Sequence, residues 1–97
     1  MVFVFGAMRD KAIAEMTEIL FPLAENVVAA AADNPRSATA AEIRAAAART
    51  ATDVEESSSV ENALERAREL AGAGGLIVVT GSIYVVGEAM RFLGVRI

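Results

Sequence analysis

The 97-residue sequence predicts an α/β fold: a three-layer α/β/α arrangement around a mostly parallel sheet of about four strands. Three observations lead there. Short runs rich in β-formers recur along the chain and are apolar at successive positions, as strands covered on both faces must be. Segments of about a dozen residues with helical apolar spacing separate them. The last such run passes into another helical pattern instead of turning back on itself.

VFVFG at residues 2–6 is the first strand. Residues 10–21 follow as a helix that places Ile13, Met16, Leu20 and Leu23 at three- and four-residue spacing, with Glu15 and Glu18 turned outward. Asp10 is the expected N-cap of that helix. ENVVAAA at residues 25–31 is the second strand, and Asp33-Asn34-Pro35-Arg36 is turn chemistry. Asn34 before Pro35 is held extended, and Asp33 is placed for an Asx turn. Thr39-Ala-Ala-Glu42 and Ser58-Ser-Val-Glu61 both have capping-box spacing, so each is expected to open a helix. Between those helices, residues 50–54 form a short edge strand, supported mainly by position. Val60, Ala63, Leu64, Ala67 and Leu70 make one apolar face, and Gly72-Ala73-Gly74-Gly75 ends that helix before LIVVTG at residues 76–81.

Thr80-Gly81-Ser82 lies between two β-rich runs and by itself admits a hairpin. The sequence that follows keeps Ile83, Val86, Met90 and Leu93 on one helical face with Glu88 and Arg91 off it, which a hairpin partner does not do. The reading is therefore a buried strand, a turn at Gly81, and a helix capped by Ser82 that stops at Gly94. Ile83, Tyr84, Val85 and Val86 weaken the helix propensity of its first turn.

Composition narrows the chemistry. The chain is 55% hydrophobic, yet no apolar run approaches the ~18 residues that span a bilayer. Nothing resembles a signal peptide, and cysteine is absent, which together lead to the expectation of a cytoplasmic protein. Without histidine or cysteine the chain builds no common zinc site, Ser-His-Asp triad or Cys-His pair, so no metal site is expected. A net charge of −4 with no clustered basic face argues against nucleic acid as a partner.

Ligands of open α/β sheets bind beyond the carboxyl ends of the strands. Three loops belong there: Gly6 to Lys11, Asp33 to Arg36, and Gly81-Ser82. Arg9 and Lys11, the latter the only lysine, suit a carboxylate or phosphate. Solvated charges are the bland alternative for that pair, as turn formation is for Asn34 and Pro35 and helix capping for Ser82.

VFGAMRDKAIAEMTEILFPLAENVVAAAADNPRSATAAEI and, after a helix, VTGSIYVVGEAMRFLG resemble the C-terminal domain of the folylpolyglutamate synthase and dihydrofolate synthase family, within the Mur ligase superfamily. The resemblance runs from Val2 to Gly94, is diffuse in the middle, and is most specific in three places. These are Gly6-x-x-x-Asp10-Lys11, Asn34-Pro35-Arg36, and Gly81-Ser82-x-Tyr84-x-x-Gly87-Glu88. Members add L-glutamate through its amino group to a folate carboxylate, using ATP to form an acyl phosphate. The resemblance implies a Rossmann-like domain that closes over an ATP-binding central domain and helps hold the incoming amino acid. ATP and Mg would be bound mainly elsewhere in the parent enzyme, whose substrates would be L-glutamate and a folate or dihydropteroate. On this view Arg9, Lys11, Ser82, Tyr84 and Arg36 are the candidate glutamate or anion contacts. Gly6, Asp10, Asn34, Pro35 and Gly81 shape the loops and caps.

Asp33-Asn34-Pro35-Arg36 is also similar to the muramoyl-peptide ligases, in which that arginine recognises the added amino acid's carboxylate. Those enzymes tend to carry Gly-Lys-Gly-His-Glu near the end, where this chain has Gly-Ser-Ile-Tyr, which favours the folate family. A non-catalytic module that binds a small acid or a protein on the same scaffold is the alternative from another class. The sequence has no G-x-x-x-x-G-K-[ST] loop and lacks the family's Asp-Gly-Ala-His-Asn-Pro strand. The expectation is one partial domain over residues 1–97, its sheet incomplete on the N-terminal side and inactive in ligation alone. A sheet edge exposed in that way is expected to drive homo-oligomers.

Overall fold

In a computed structural model, described over residues 1–94, the first strand pairs on both sides. β1 (Val2–Phe5) is flanked by β2 (Asn26–Ala29) and β4 (Ile77–Thr80), and β3 (Val54–Glu56) lies outside β2, so the order is β3-β2-β1-β4. Every pairing is parallel. This is the α/β layering expected, with strand order added by the structure.

Among the described residues the four α-helices are α1 (Ile13–Leu20), α2 (Ala40–Ala46), α3 (Val60–Ala71) and α4 (Ile83–Leu93). Alternate residues of the strands feed two cores. On one side Phe3, Phe5, Val27, Ala29 and Val54 pack with Phe21 and Ile43 under α1 and α2. Phe5 and Phe21 meet edge to face, with ring centroids 5.1 Å apart. On the other side Val2, Val4, Val28 and Ala30 pack with Val60, Leu64, Val85 and Ala89 of α3 and α4. The chain runs outward from β1 through β2 to β3, then returns across the sheet to β4. That reversal puts a topological switch point between β1 and β4. Among the described residues no helix is long and apolar enough to cross a membrane.

Several elements differ from expectation in instructive ways. α1 begins at Ile13 with no side-chain cap, so Asp10 does not cap it. The Lys11 N–H bonds the Met8 carbonyl (3.1 Å) and the Ile13 N–H bonds the Lys11 carbonyl (2.9 Å), so the chain is still turning there. Leu23, expected on the core face, falls in a separate 3-10 turn (Phe21–Leu23) and is 61% exposed. The capping box at Thr39 and Glu42 forms reciprocally, with both hydrogen bonds at 3.0 Å. The second one slips by a residue: Ser59, not Ser58, caps α3 by accepting from the Asn62 N–H. Ser58 instead accepts from the Asn62 side chain (2.7 Å).

The edge strand lies later than residues 50–54 because residues up to Thr50 close a 3-10 turn and Ala51 is left-handed, with φ 56°. At Gly81 the chain does turn from strand into helix, as Ser82 caps α4 and Gly94 ends it. The face that α4 buries, however, is Val85 and Ala89, not Ile83, Val86, Met90 and Leu93. Val85 packs where Gly6 has no side chain: a Cβ on Gly6 would crowd Val85 and lie 2.6 Å from the Ala30 carbonyl.

Candidate functional site

The loops after β1, β2 and β4 meet at the carboxyl end of the sheet. The first two are zipped together: Met8 and Ser37 form an antiparallel bridge, the Arg9 N–H bonds the Arg36 carbonyl (2.7 Å), and the Ala38 N–H bonds the Ala7 carbonyl (2.9 Å). The Asp33–Arg36 turn is closed by Asn34, whose side-chain oxygen accepts from the Arg36 N–H (2.9 Å). The Asx residue is therefore Asn34 and not Asp33. The N–H of Asp33 donates to Glu88 of α4, which ties this loop to the last helix (2.6 Å).

The β4–α4 turn closes over the first loop at a point where only glycine fits. Gly81 has φ 107°, and a Cβ there would collide with the Gly6 carbonyl. This close approach places Ser82, 7% exposed, at the head of α4, where its hydroxyl oxygen accepts from the Tyr84 N–H (3.1 Å). The first intrahelical bond runs from the Val86 N–H to the Ser82 carbonyl (3.0 Å). The amides of Ile83 and Val85 thus precede the helix's own hydrogen bonding and add to its positive end.

Between these loops is a cleft of about 320 Å³ lined by Met8, Asp10, Lys11, Arg36, Gly81, Ser82, Ile83 and Tyr84. It sits at the switch point between β1 and β4. Of the five candidate contacts, it gathers Lys11, Arg36, Ser82 and Tyr84. Arg36 enters held by Asp10, with Nη2 2.8 Å from Oδ2, both side chains largely solvated. Asp10, expected as a cap, is in fact the carboxylate of this cleft.

Arg9 is the exception. Its guanidinium turns away toward α2, meeting Glu42 at 3.0–3.3 Å and the Pro35 carbonyl at 3.4 Å. Glu42 is held down to a pKa of about 2, first by the hydrogen bond from Arg9 and then by the backbone N–H of Thr39. The Arg9 pKa is raised by the same pairing. Arg9 is thereby a clamp on the Asp33–Arg36 loop: it does not line this cleft, and borders a neighbouring, shallower one with Asp10, Pro35 and Arg36. Sequence reasoning placed Glu88 off the apolar face of α4 but missed its bond to Asp33. Its only sequence signal is its place in the Gly87-Glu88 pair.

A family model described as the Mur ligase, glutamate ligase domain matches residues 1–83. Among solved structures, Mycobacterium tuberculosis folylpolyglutamate synthase complexed with ADP and AMPPCP is similar at 26% identity and a TM-score of 0.87. It is matched over 98% of this chain and 24% of that one. Escherichia coli FolC in complex with DHPP and ADP is similar at 26% identity and a TM-score of 0.84, over 96% of this chain and 22% of that one. This chain spans less than a quarter of the length of those structures. No curated protein sequence matches it.

Proposed function

The chain belongs to the Mur ligase glutamate ligase domain family, and we propose from that premise that it is the C-terminal, glutamate-holding domain of a cytoplasmic ATP-dependent folate–glutamate ligase. The parent would be of the folylpolyglutamate synthase or dihydrofolate synthase kind, the proteins its fold matches along nearly its whole length. The observation that carries the reading is the composition of the cleft. Two cations, Lys11 and Arg36, and the positive end of α4 converge on a space also lined by the Asp10 carboxylate and by Tyr84.

Such a cleft suits a dipolar amino acid. The carboxylate is met by Lys11, by Arg36 and by the helix end, where anions are stabilised. Asp10 supplies the complementary acceptor on the amine side. The Asp10–Arg36 pair is exposed and worth little by itself, so a carboxylate can displace Asp10 at small cost. Holding the amine in a fixed direction is the domain's contribution to rate, since orientation lowers the barrier of a reaction between two partners.

ATP in such ligases activates the acid by phosphorylation. The charges of Lys11 and Arg36 fit one anionic end of a bound group, but the sequence has no G-x-x-x-x-G-K-[ST] loop to cradle a triphosphate. Among the described residues no three carboxylates gather to hold a metal ion. Nucleotide and Mg binding are accordingly assigned to the parent's central domain, and the folate to parts of the parent outside this chain.

The test is an amide-resolved NMR titration of the chain with L-glutamate, using L-lysine as the charge-reversed control. L-glutamate should shift the Lys11, Arg36, Ile83 and Tyr84 amides with a dissociation constant of about 1–10 mM, equivalent to −3 to −4 kcal/mol. Lys11→Met should weaken it severalfold. Shifts that are absent, or equal for L-lysine, would remove the glutamate reading.

A further inference from the structure

The cleft has two walls built on different elements. Arg36 stands on the loop after β2, which is zipped to the loop carrying Lys11, whereas Ser82 and Tyr84 stand at the head of α4. An anion gripped from both sides is sensitive to the span between those walls, so whatever fixes the span matters to its binding. Against the first loop, α4 is held by Val85 packing on Gly6. Toward the Asp33–Arg36 loop it is held by Glu88. Glu88 Oε2 accepts from the Asp33 N–H at 2.6 Å, across 55 residues of sequence. Among the described residues this is the one hydrogen bond that α4 makes to another element.

The bond takes hold of the one end of the turn that is otherwise loose. Inside the turn, the Asn34 N–H bonds the Ala32 carbonyl (2.8 Å), the Ser37 N–H bonds the Asn34 carbonyl (2.9 Å), and the Asn34 side chain accepts from the Arg36 N–H. Arg9 holds the far end, through its N–H to the Arg36 carbonyl and its Nη1 to the Pro35 carbonyl. A turn made rigid internally and pinned at one end still pivots about that end, and the Asp33 N–H is where Glu88 stops it. On the α4 side, Glu88 is half-buried and lies less than two helical turns beyond Ser82, so the helix carries its position rigidly to the cleft. The ordinary use of such a glutamate is a surface ion pair with Arg91, one turn on. Among the described residues Glu88 makes no ion pair. Its flank of α4 borders a hollow that the Asp33 and Glu61 side chains also line, and a carboxylate set among others is kept in place by its donor.

We propose that Glu88 is a positioning residue for the bound amino acid: it touches no ligand, and through the Asp33 N–H it fixes where Arg36 stands relative to the head of α4. The inference rests on the reading of the cleft as a glutamate site and adds the device that sets its span. The role needs an acceptor at this place and not a charge. Glu88→Gln, with its amide oxygen toward Asp33, therefore keeps the tie, and Glu88→Ala breaks it.

The test compares the unmodified chain with Glu88→Ala, Glu88→Gln and Gly87→Ala, first free and then titrated with L-glutamate. Gly87→Ala is the structural control: a Cβ there meets only Arg91 Nη1, at 3.8 Å, and alanine favours helix, so α4 is made firmer without touching the tie. In free Glu88→Ala the Asp33 amide should exchange faster, and the Asn34 and Arg36 amides should show added motion in NMR relaxation. Its dissociation constant for L-glutamate should rise about five- to tenfold. Glu88→Gln should return these readouts close to the unmodified values, and Gly87→Ala should raise the melting temperature at unchanged affinity. An unmodified chain that does not bind L-glutamate removes the reading of the cleft and this inference with it. If the unmodified chain binds, a Glu88→Ala variant that binds as tightly overturns this inference alone. So does a Glu88→Gln variant no better than Glu88→Ala, or an affinity that follows the melting temperature across the set instead of the Asp33 tie.

Discussion

Replacing Gly81 by alanine adds one methyl group at the tightest point of the molecule. Its φ of 107° lies outside the conformations that side-chain-bearing residues adopt readily, and a Cβ would strike the Gly6 carbonyl and approach the Phe5 ring to 3.0 Å. Relief by a shift of the first loop is blocked. The Gly6 N–H is bonded to the Thr80 carbonyl (3.3 Å), and Gly6 is itself wedged against Val85 and the Ala30 carbonyl. The positive φ costs about 1–2 kcal/mol and the forced contact about 1–3 kcal/mol, so the sum is about 2–5 kcal/mol. For a domain of this size each 1 kcal/mol shifts Tm by roughly 4–8 °C, which predicts a fall of about 8–40 °C. Thermal and urea unfolding followed by circular dichroism measure it. Gly74→Ala is the control: a Cβ there meets nothing within 4 Å and its φ lies outside the left-handed region, so the change should be neutral or stabilise by up to about 1 kcal/mol. A Gly81→Ala melting point within a few degrees of the parent's would refute the close-approach argument.

Three further outcomes follow from the packing and the caps. Val85→Ala, at 1% exposure, should cost about 2–3 kcal/mol in urea unfolding, and Val86→Ala under about 1 kcal/mol, which checks which face of α4 meets the sheet. Thr39→Ala should cost about 1 kcal/mol by the same measurement, through loss of the α2 cap. Glu42 has its carboxyl lowered from the usual 4.5 to about 2, so its stabilising contribution is complete above about pH 4.5 and is lost as pH falls through about 2. The stability difference between the parent and Glu42→Gln should be constant near neutrality and disappear around pH 2. A difference that persists there would mean the Arg9 pairing is not its source.

The sheet was legible because buried parallel strands are apolar on both faces, and β1, β2 and β4 announce themselves by composition. β3 was shifted because its identity rests on pairing with β2 rather than on its own residues, two of which are glutamates. The orientation of α4 was illegible for a different reason. Its apolar arc runs from Ile83 and Met90 round to Val85 and Phe92, about half the circumference, so periodicity selects a row without showing which row meets the sheet. That choice is made by the turn before it. Gly81 at φ 107° brings the helix onto Gly6, and Val85 is the residue that arrives there.

The cleft was legible as a set of loops but not as a set of partners. Arg9 and Arg36 stand on neighbouring loops at the same end of the sheet, and either suits an anion. Their difference is created by Glu42, thirty-three residues from Arg9. The capping box already requires Glu42 to turn back toward Thr39, and that same turn presents its carboxylate to Arg9. Arg9 then spends its donors on Glu42 and on the Pro35 carbonyl, bracing the loop on which Arg36 stands. Among the described residues the Arg36 side chain has only Asp10, through a single solvated contact that yields easily to a stronger anion. The arginine that can change partners is therefore Arg36, and Arg9 holds it where the exchange takes place.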